Sequence, residues 1–417
     1  MNRILNNLKT FSKLFMAMYI FIYCFPFPIN YMPYGYQLLG KYINNFKAKL
    51  NILTAEYLLG YKSVSYQEMN GSGDTTLDYV ALLSYSLVAV IIVLVFRLVF
   101  RKFDLIDKVY PAALVYARYF VGITLVSYGV IKFLHGQFPS PSLMALETTY
   151  GESSPMGLAW RFFGYSSLYK GFMGVSEILA GMLLLFRRTV LLGALLSIAV
   201  CTNIFIVNLS FDVPVKLFSG HLLMFSILIA LPYFKSLISF FILHQPTQIH
   251  SITYPLVSKW DKIGYYGAKT ILVALIPMSL AYGHIASQSF RTYLNEWEGV
   301  YEVTHFEIAG KENLSATAHW EKVIIQGQTI MTINRAKTKN YYTIEQIWNE
   351  GEINFISSSD QEDPYQLFVT ELEDGTYSLT TTIGNNQYHV KAKRKIKADY
   401  LLMNRGFRFV NELPFNR

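Results

Sequence analysis

The chain has 417 residues, of which 52% are hydrophobic and 15% charged, against about 25% charged in an average soluble domain. That excludes a wholly soluble protein and points to a large membrane part. The formal charge of +8 is uneven: residues 290–417 hold 14 Lys+Arg against 17 Asp+Glu, so the basic surplus lies in the first 289 residues, where topology signals place it, and no nucleic-acid-binding motif accompanies it.

The N-terminus has a basic start and then an apolar run, without a small-x-small cleavage site. It reads as an uncleaved first span and not as a signal peptide. A span needs about 20 apolar residues. Seven stretches qualify or nearly do, near 12–30, 79–100, 112–133, 169–186, 189–209, 217–234 and 267–286. "FPFP" interrupts the first, and Pro277 lies in the last. Cys24 and Cys201 lie in apolar runs without a CxxC pair, which reads as two buried structural thiols.

Basic residues set the expected orientation. Arg3, Lys9 and Lys13 precede the first span, Arg101, Lys102 and Lys108 follow the second, and Arg187 and Arg188 form a tight turn after the fourth. All fall on one side if the N-terminus is cytoplasmic. The chain after the seventh span is then outside.

From about Trp297 the pattern changes to short runs rich in aromatic and β-branched residues, such as "HWEKVII", "YQLFVTEL" and "TYSLTTTI". Breaks such as "IQGQ", "NEGE", "EDGT" and "GNNQ" separate them as hairpin turns do. The expected fold is a membrane α-helical bundle of about seven spans followed by an all-β antiparallel barrel or sandwich. The expected parts are 1–111, two spans with an external loop; 112–234, a four-helix unit; 235–289, a cytoplasmic segment and last span; and 290–417, an extracytoplasmic β domain. Lys391, Lys393, Arg394, Lys395 and Lys397 read first as a solvated strand edge, and second as a patch for anionic headgroups or an acidic partner.

Candidate site residues come from helical spacing. Arg118, Gly122, Leu125, Gly129 and Lys132 recur at steps of four, three, four and three, so they share one helix face. Lys170, Gly174, Glu177, Gly181 and Leu184 do the same on the fourth span. Glycines at this spacing let membrane helices approach closely. Asn203, Asn208, Asp212, Lys216 and His221 add polar groups on the next two spans. Lys132, Lys170, Asp212 and Lys216 are expected near the outer interface, with Glu177 deeper. An Arg118–Glu177 contact would need both side chains extended. A charge near the bilayer centre needs a partner. Two readings stay open: an ion pair that only fixes helix register, or an outward-facing polar pocket. Lys132, Lys170, Lys216 and Arg187, taken singly, also fit snorkelling anchors. His135 and His221 have no third metal ligand at a recognisable spacing.

The order R-x3-G at Arg118, G-x2-K at Gly129, G-x2-E-x3-G at Gly174, a glycine-led fifth span and a charged link resembles the DoxX/DoxD-type membrane proteins over residues 112–233. Long members of this type occur in Bacteroidetes-type bacteria. The resemblance implies a bacterial inner membrane, a four-helix unit, and Arg118, Lys132 and Glu177 as recurrent polar positions. Members include quinone-linked oxidoreductase subunits, so it also implies a redox association with a quinone as the one cofactor to expect. This chain departs from the pattern by its two leading spans, one following span and β domain.

Three functions follow. The first is a redox-associated protein binding a quinone-like or other amphipathic molecule, with electrons from a partner because the chain has no haem, flavin, iron–sulfur or dithiol motif. The second is an envelope component whose bundle anchors a β domain that binds a partner or lipid. The third is a small-solute carrier, disfavoured by the lack of an inverted repeat.

Overall fold

The computed structural model describes residues 2–31, 34–61, 73–99, 106–133, 137–249, 296–311, 314–347, 351–357 and 365–406, with isolated positions between 259 and 270. The chain forms two compact units: Met1–Phe138 with Ser154–Gly283, and Pro139–Ser153 with His284–Arg417. The expected span at 267–286 falls almost wholly outside the described residues, as do Arg101, Lys102 and His135.

In the first unit, six helical stretches among the described residues are long and apolar enough to cross a membrane: Leu5–Tyr31, Thr76–Leu98, Lys108–Phe133, Ser167–Leu185, Val190–Ser210 and Lys216–Phe241. They contain α1 (Asn2–Cys24), α3 (Thr76–Val99), α4 (Ile106–Phe133), α7 (Ser167–Leu185), α8 (Val190–Ser210), α9 (Lys216–Ala230) and α10 (Phe234–Phe241). The chain is a membrane protein. Between α1 and α3 lies α2 (Lys41–Leu59), a helix that the apolar runs did not indicate. Local signals set several boundaries. Asp78 Oδ2 accepts from Thr75 N while Thr75 Oγ1 accepts from Asp78 N, a capping box at the start of α3. Ser166 caps α7 by accepting from Tyr169 N. Ser154 caps the short α6 (Pro155–Tyr165), whose proline takes a first-turn position.

The main packing is α4 against α7, along the two glycine stripes. A Cβ added to Gly129 would lie 2.6 Å from Gly174 O, and one added to Gly122 would lie 3.0 Å from Gly181 O. The backbones therefore touch at both levels, the close approach that small residues permit. The core of this unit gathers Ala17, Ile20, Leu125, Leu184 and Phe225 around that seam. Cys24 and Cys201 are buried free thiols.

The second unit is a closed, eight-stranded antiparallel barrel in simple up-and-down order. Its strands are β1 (Gly299–Ile308), β2 (Trp320–Gln326), β3 (Thr329–Asn334), β4 (Lys339–Ile347), β5 (Glu352–Ser357), β6 (Tyr365–Glu371), β7 (Tyr377–Ile383) and β8 (Asn386–Lys395). All eight coincide with the aromatic and β-branched runs. Alternate residues such as Tyr301, Val323, Ile353, Leu379 and Val390 fill the interior, as strand pleating requires. One turn residue is fixed by geometry. Gly351 has φ +84°, and a Cβ there would strike the Val369 carbonyl. Only glycine avoids both problems.

Closure corrects the reading of 391–397 as a strand edge. β8 pairs with β7 on one side and β1 on the other, so its lysines guard no edge. Lys391 instead pairs with Asp374 at 2.7 Å, and Arg394 donates to Glu298 O. The outer faces of β1–β3 carry an apolar patch, Val300, Ile324, Met331 and Ile333, against which Leu143 and Tyr400 are buried. Leu143 belongs to α5 (Leu143–Leu146). Residues 139–153 are therefore part of the barrel unit.

Candidate functional site

A buried ion pair lies at the α4–α7 seam. Lys132 Nζ donates to Glu177 Oε1 at 2.9 Å, to Glu177 Oε2 at 2.8 Å and to Gln137 Oε1 at 2.8 Å. These three bonds use all three ammonium donors. The Lys132 and Glu177 side chains are 5% and 3% exposed. The glycine contacts place Lys132 level with Gly171, six residues or about 9 Å from Glu177 along the helix. The gap closes because the helices are antiparallel and each side chain leans toward its own N-terminus. Lys170 is also buried and donates to Phe138 O at 3.0 Å. The Phe138 ring lies 5.5 Å from Lys132 Nζ. Residues 137 and 138 thus close over both lysines. Neither lysine snorkels, because each has its partner inside the unit. The arrangement locks α4 to α7, and the ammonium's three donors are all taken by protein groups.

His221 lies elsewhere, against the first span. Its Nδ1 is 2.7 Å from Leu217 O and its Nε2 is 2.8 Å from Tyr19 Oη. A carbonyl can only accept, so Nδ1 carries the proton and Nε2 accepts from the Tyr19 hydroxyl. The Tyr23 ring stacks on the imidazole at 3.9 Å. Beside His221 is a groove of about 270 Å³ between α3, α8 and α9, lined by Tyr79, Phe205, Leu209, Lys216, Gly220 and Met224 among others.

Beside Lys216 at one end of the groove, Asp74 accepts from the backbone N–H groups of Lys216 at 2.6 Å and Leu217 at 2.8 Å. It caps α9 where a helix dipole favours an anion. Lys216 Nζ bonds Asp212 at 2.8 Å and lies 3.9 Å from Asp74. Nearby, Asn208 Nδ2 donates to Ser219 Oγ at 3.0 Å and ties α8 to α9.

The nine sequence candidates therefore do not form one pocket. Lys132 and Glu177 meet, with Lys170 close by; Asp212 and Lys216 meet; His221 and Asn208 each have other partners. Asn203 is exposed on α8. Arg118 is buried, with its guanidinium 4.9 Å from the Tyr119 ring. It does not reach Glu177. Gly122, one turn further along α4, already meets Leu184 and Leu185, so Arg118 is level with the last turn of α7, about 12 Å from Glu177. The helix C-terminus is an electrostatically suitable place for a cation. Tyr19, Tyr23 and Asp74 gave no sequence signal, because each gains its role only from a distant partner; Gln137 lies five residues from Lys132, in a loop with no periodicity to mark it.

The barrel unit has its own charged centre. Glu147, just after α5, accepts from Lys322 Nζ and Tyr400 Oη and lies 3.7 Å from Lys395 Nζ. Burial pushes its carboxyl up, but the two hydrogen bonds and two lysine charges outweigh this and hold it below the usual carboxylate range. His305, His319 and His389 remain scattered: His389 and His305 are on paired strands and His319 packs on Phe306.

No family model matches the chain, and no solved structure matches it. A stretch of 99 residues, 24% of this chain, is 38% identical to the uncharacterized protein YwoB of Bacillus subtilis (strain 168). The match spans 62% of that relative's length.

Proposed function

We propose that this chain is a DoxX-like membrane protein that binds an amphipathic molecule from the bilayer in the groove between α3, α8 and α9. The groove beside His221 carries this reading. Its lining is mostly apolar, and it is partly open along one side, with the Lys216, Asp212 and Asp74 charges at one end. An apolar tail fits the lining while a polar head meets the charged end, the usual composition of such sites. A quinone-type ring would lie against Tyr79 and the imidazole. Both imidazole nitrogens are already engaged, so the chain's contribution is binding and placement, and electrons would come from a partner protein. Native mass spectrometry of the purified full chain tests this. The wild type should retain a neutral amphipath, and Met224→Trp, which fills the groove, should lose it while keeping its melting temperature. Nothing retained by the wild type, or equal retention by both, would leave the bundle as an anchor for the barrel.

The orientation belongs to the same proposal: a bacterial inner membrane, with the N-terminus cytoplasmic and the barrel periplasmic. Residues 139–153 are part of the barrel unit, so they share its side of the membrane. On this reading α7 crosses away from that side toward the Arg187/Arg188 turn. The positive-inside bias assigns that turn to the cytoplasm. A Lys337→Cys variant should react with an impermeant maleimide in spheroplasts, and an Arg188→Cys variant only after lysis. The reverse pattern would invert the bundle, and reaction of both in intact spheroplasts would break the argument.

A further inference from the structure

The barrel interior is built in two halves. Toward the end where β1, β3, β5 and β7 begin, its filling is largely aliphatic, with Ile325, Ile344, Ile353, Val369 and Leu379. Toward the opposite rim, where those strands end, the inward positions become aromatic. Trp320 and Tyr388 stack at 4.8 Å with Phe306 against both. Phe355 sits between Tyr342 and Tyr365, at 5.2 and 5.6 Å. Tyr342, Tyr365 and Tyr388 are only half-buried, so their rings reach the rim.

Two hydroxyls lie below that aromatic rim. Thr332 on β3 and Thr381 on β7 are each two residues from the end of their strands, at the same rim. Both face inward: Thr332 alternates with the outer-patch residues Met331 and Ile333, and Thr381 is two residues from the core residue Leu379. They are 2% and 4% exposed, and neither hydroxyl oxygen has a hydrogen-bond partner among the described residues. Tyr342 lies beside Thr332, but without the geometry of a hydrogen bond. A buried hydroxyl without a partner is unfavourable, and two of them in one aromatic-lined half are places for a ligand's polar atoms.

We propose that this half of the barrel binds a neutral, flat-ring compound that carries a hydroxyl or carbonyl oxygen. The aromatic walls provide stacking and edge-to-face surface for a ring. The threonine hydroxyls can donate to or accept from its oxygen. None of the aromatic or threonine side chains named carries a charge, so an ionised ligand would bury an unpaired charge. An eight-stranded barrel has an interior just wide enough to be filled by side chains or to hold one small ligand. The aliphatic half takes the first course and the aromatic half the second. This site is separate from the membrane groove and does not depend on it.

The test uses the full chain in nanodiscs, with 2-naphthol as the probe, equilibrium dialysis as the readout and empty nanodiscs as the reference for partitioning. The wild type should bind saturably, and 2-naphthoate, the same ring with a charge, at least about ten-fold more weakly. Thr332→Val and Thr381→Val remove a hydroxyl while keeping shape, and each should weaken 2-naphthol about five-fold. Thr→Ser at the same positions should retain binding, which holds even if a valine variant folds poorly. Met224→Trp should leave binding unchanged. Absence of saturable binding would overturn the proposal and leave the hydroxyls to bound water. So would unchanged affinity in both valine variants, loss of affinity in both serine variants, or loss through Met224→Trp.

Discussion

Lys132→Met is expected to destabilise the bundle by about 3–5 kcal/mol, because it leaves the Glu177 carboxylate buried without its cation. The effect is large because the pair is buried. Both side chains are nearly inaccessible, and Gln137, the third partner of the ammonium, offers its acceptor Oε1 to Lys132 and no compensating charge to Glu177. The double variant Lys132→Met/Glu177→Met should recover most of that loss, since replacing both members of a buried pair by apolar groups of similar size is often neutral. Thermal melting of detergent-solubilised protein checks both. If the single and double variants melt alike, the pair does not hold α4 to α7 in the way its hydrogen bonds indicate.

The second large effect is expected at the seam itself. Gly129→Leu should destabilise the bundle by more than about 3 kcal/mol, the upper range for overpacking. A Cβ there would lie 2.6 Å from Gly174 O and 3.1 Å from Ile178 N. Both are backbone atoms, so no side chain can rotate away, and the helices must separate. Separation would also stretch the Lys132–Glu177 bonds. Gly171 provides the control. A Cβ there meets only Phe133, at 3.9 Å. Gly171→Ala should therefore be neutral or stabilise by up to about 1 kcal/mol, the helix-propensity gain. Equal melting temperatures for Gly129→Leu and Gly171→Ala would contradict the close approach of α4 and α7.

Much of this arrangement could be read from local pattern. The steps of three and four that join Gly122, Gly129 and Lys132 on one helix, and Gly174, Glu177 and Gly181 on another, give each helix a marked face. The observed contacts join those two faces. The eight strands follow from alternation and β-branched content, because pleating makes burial a period-two property of the sequence. Helix starts at Thr75, Ser154 and Ser166 follow from capping chemistry within three or four residues. These features depend on neighbours along the chain, so the sequence by itself determined them.

The tertiary structure alone decided which groups meet. Glu177 chose Lys132 and not Arg118 because the glycine contacts fix the offset of two antiparallel helices, and side chains lean toward helix N-termini. His221 found Tyr19, 202 positions away in the chain, through the packing of α1 beside α9. Residues 139–153 joined the barrel because its outer face left Val300, Ile324 and Met331 to be covered, a need visible only once the strands are paired. Barrel closure itself turned β8 from a possible edge into a strand paired on both sides. Periodicity assigns a residue to a face, but the partner of that face is set by distances between segments far apart in sequence.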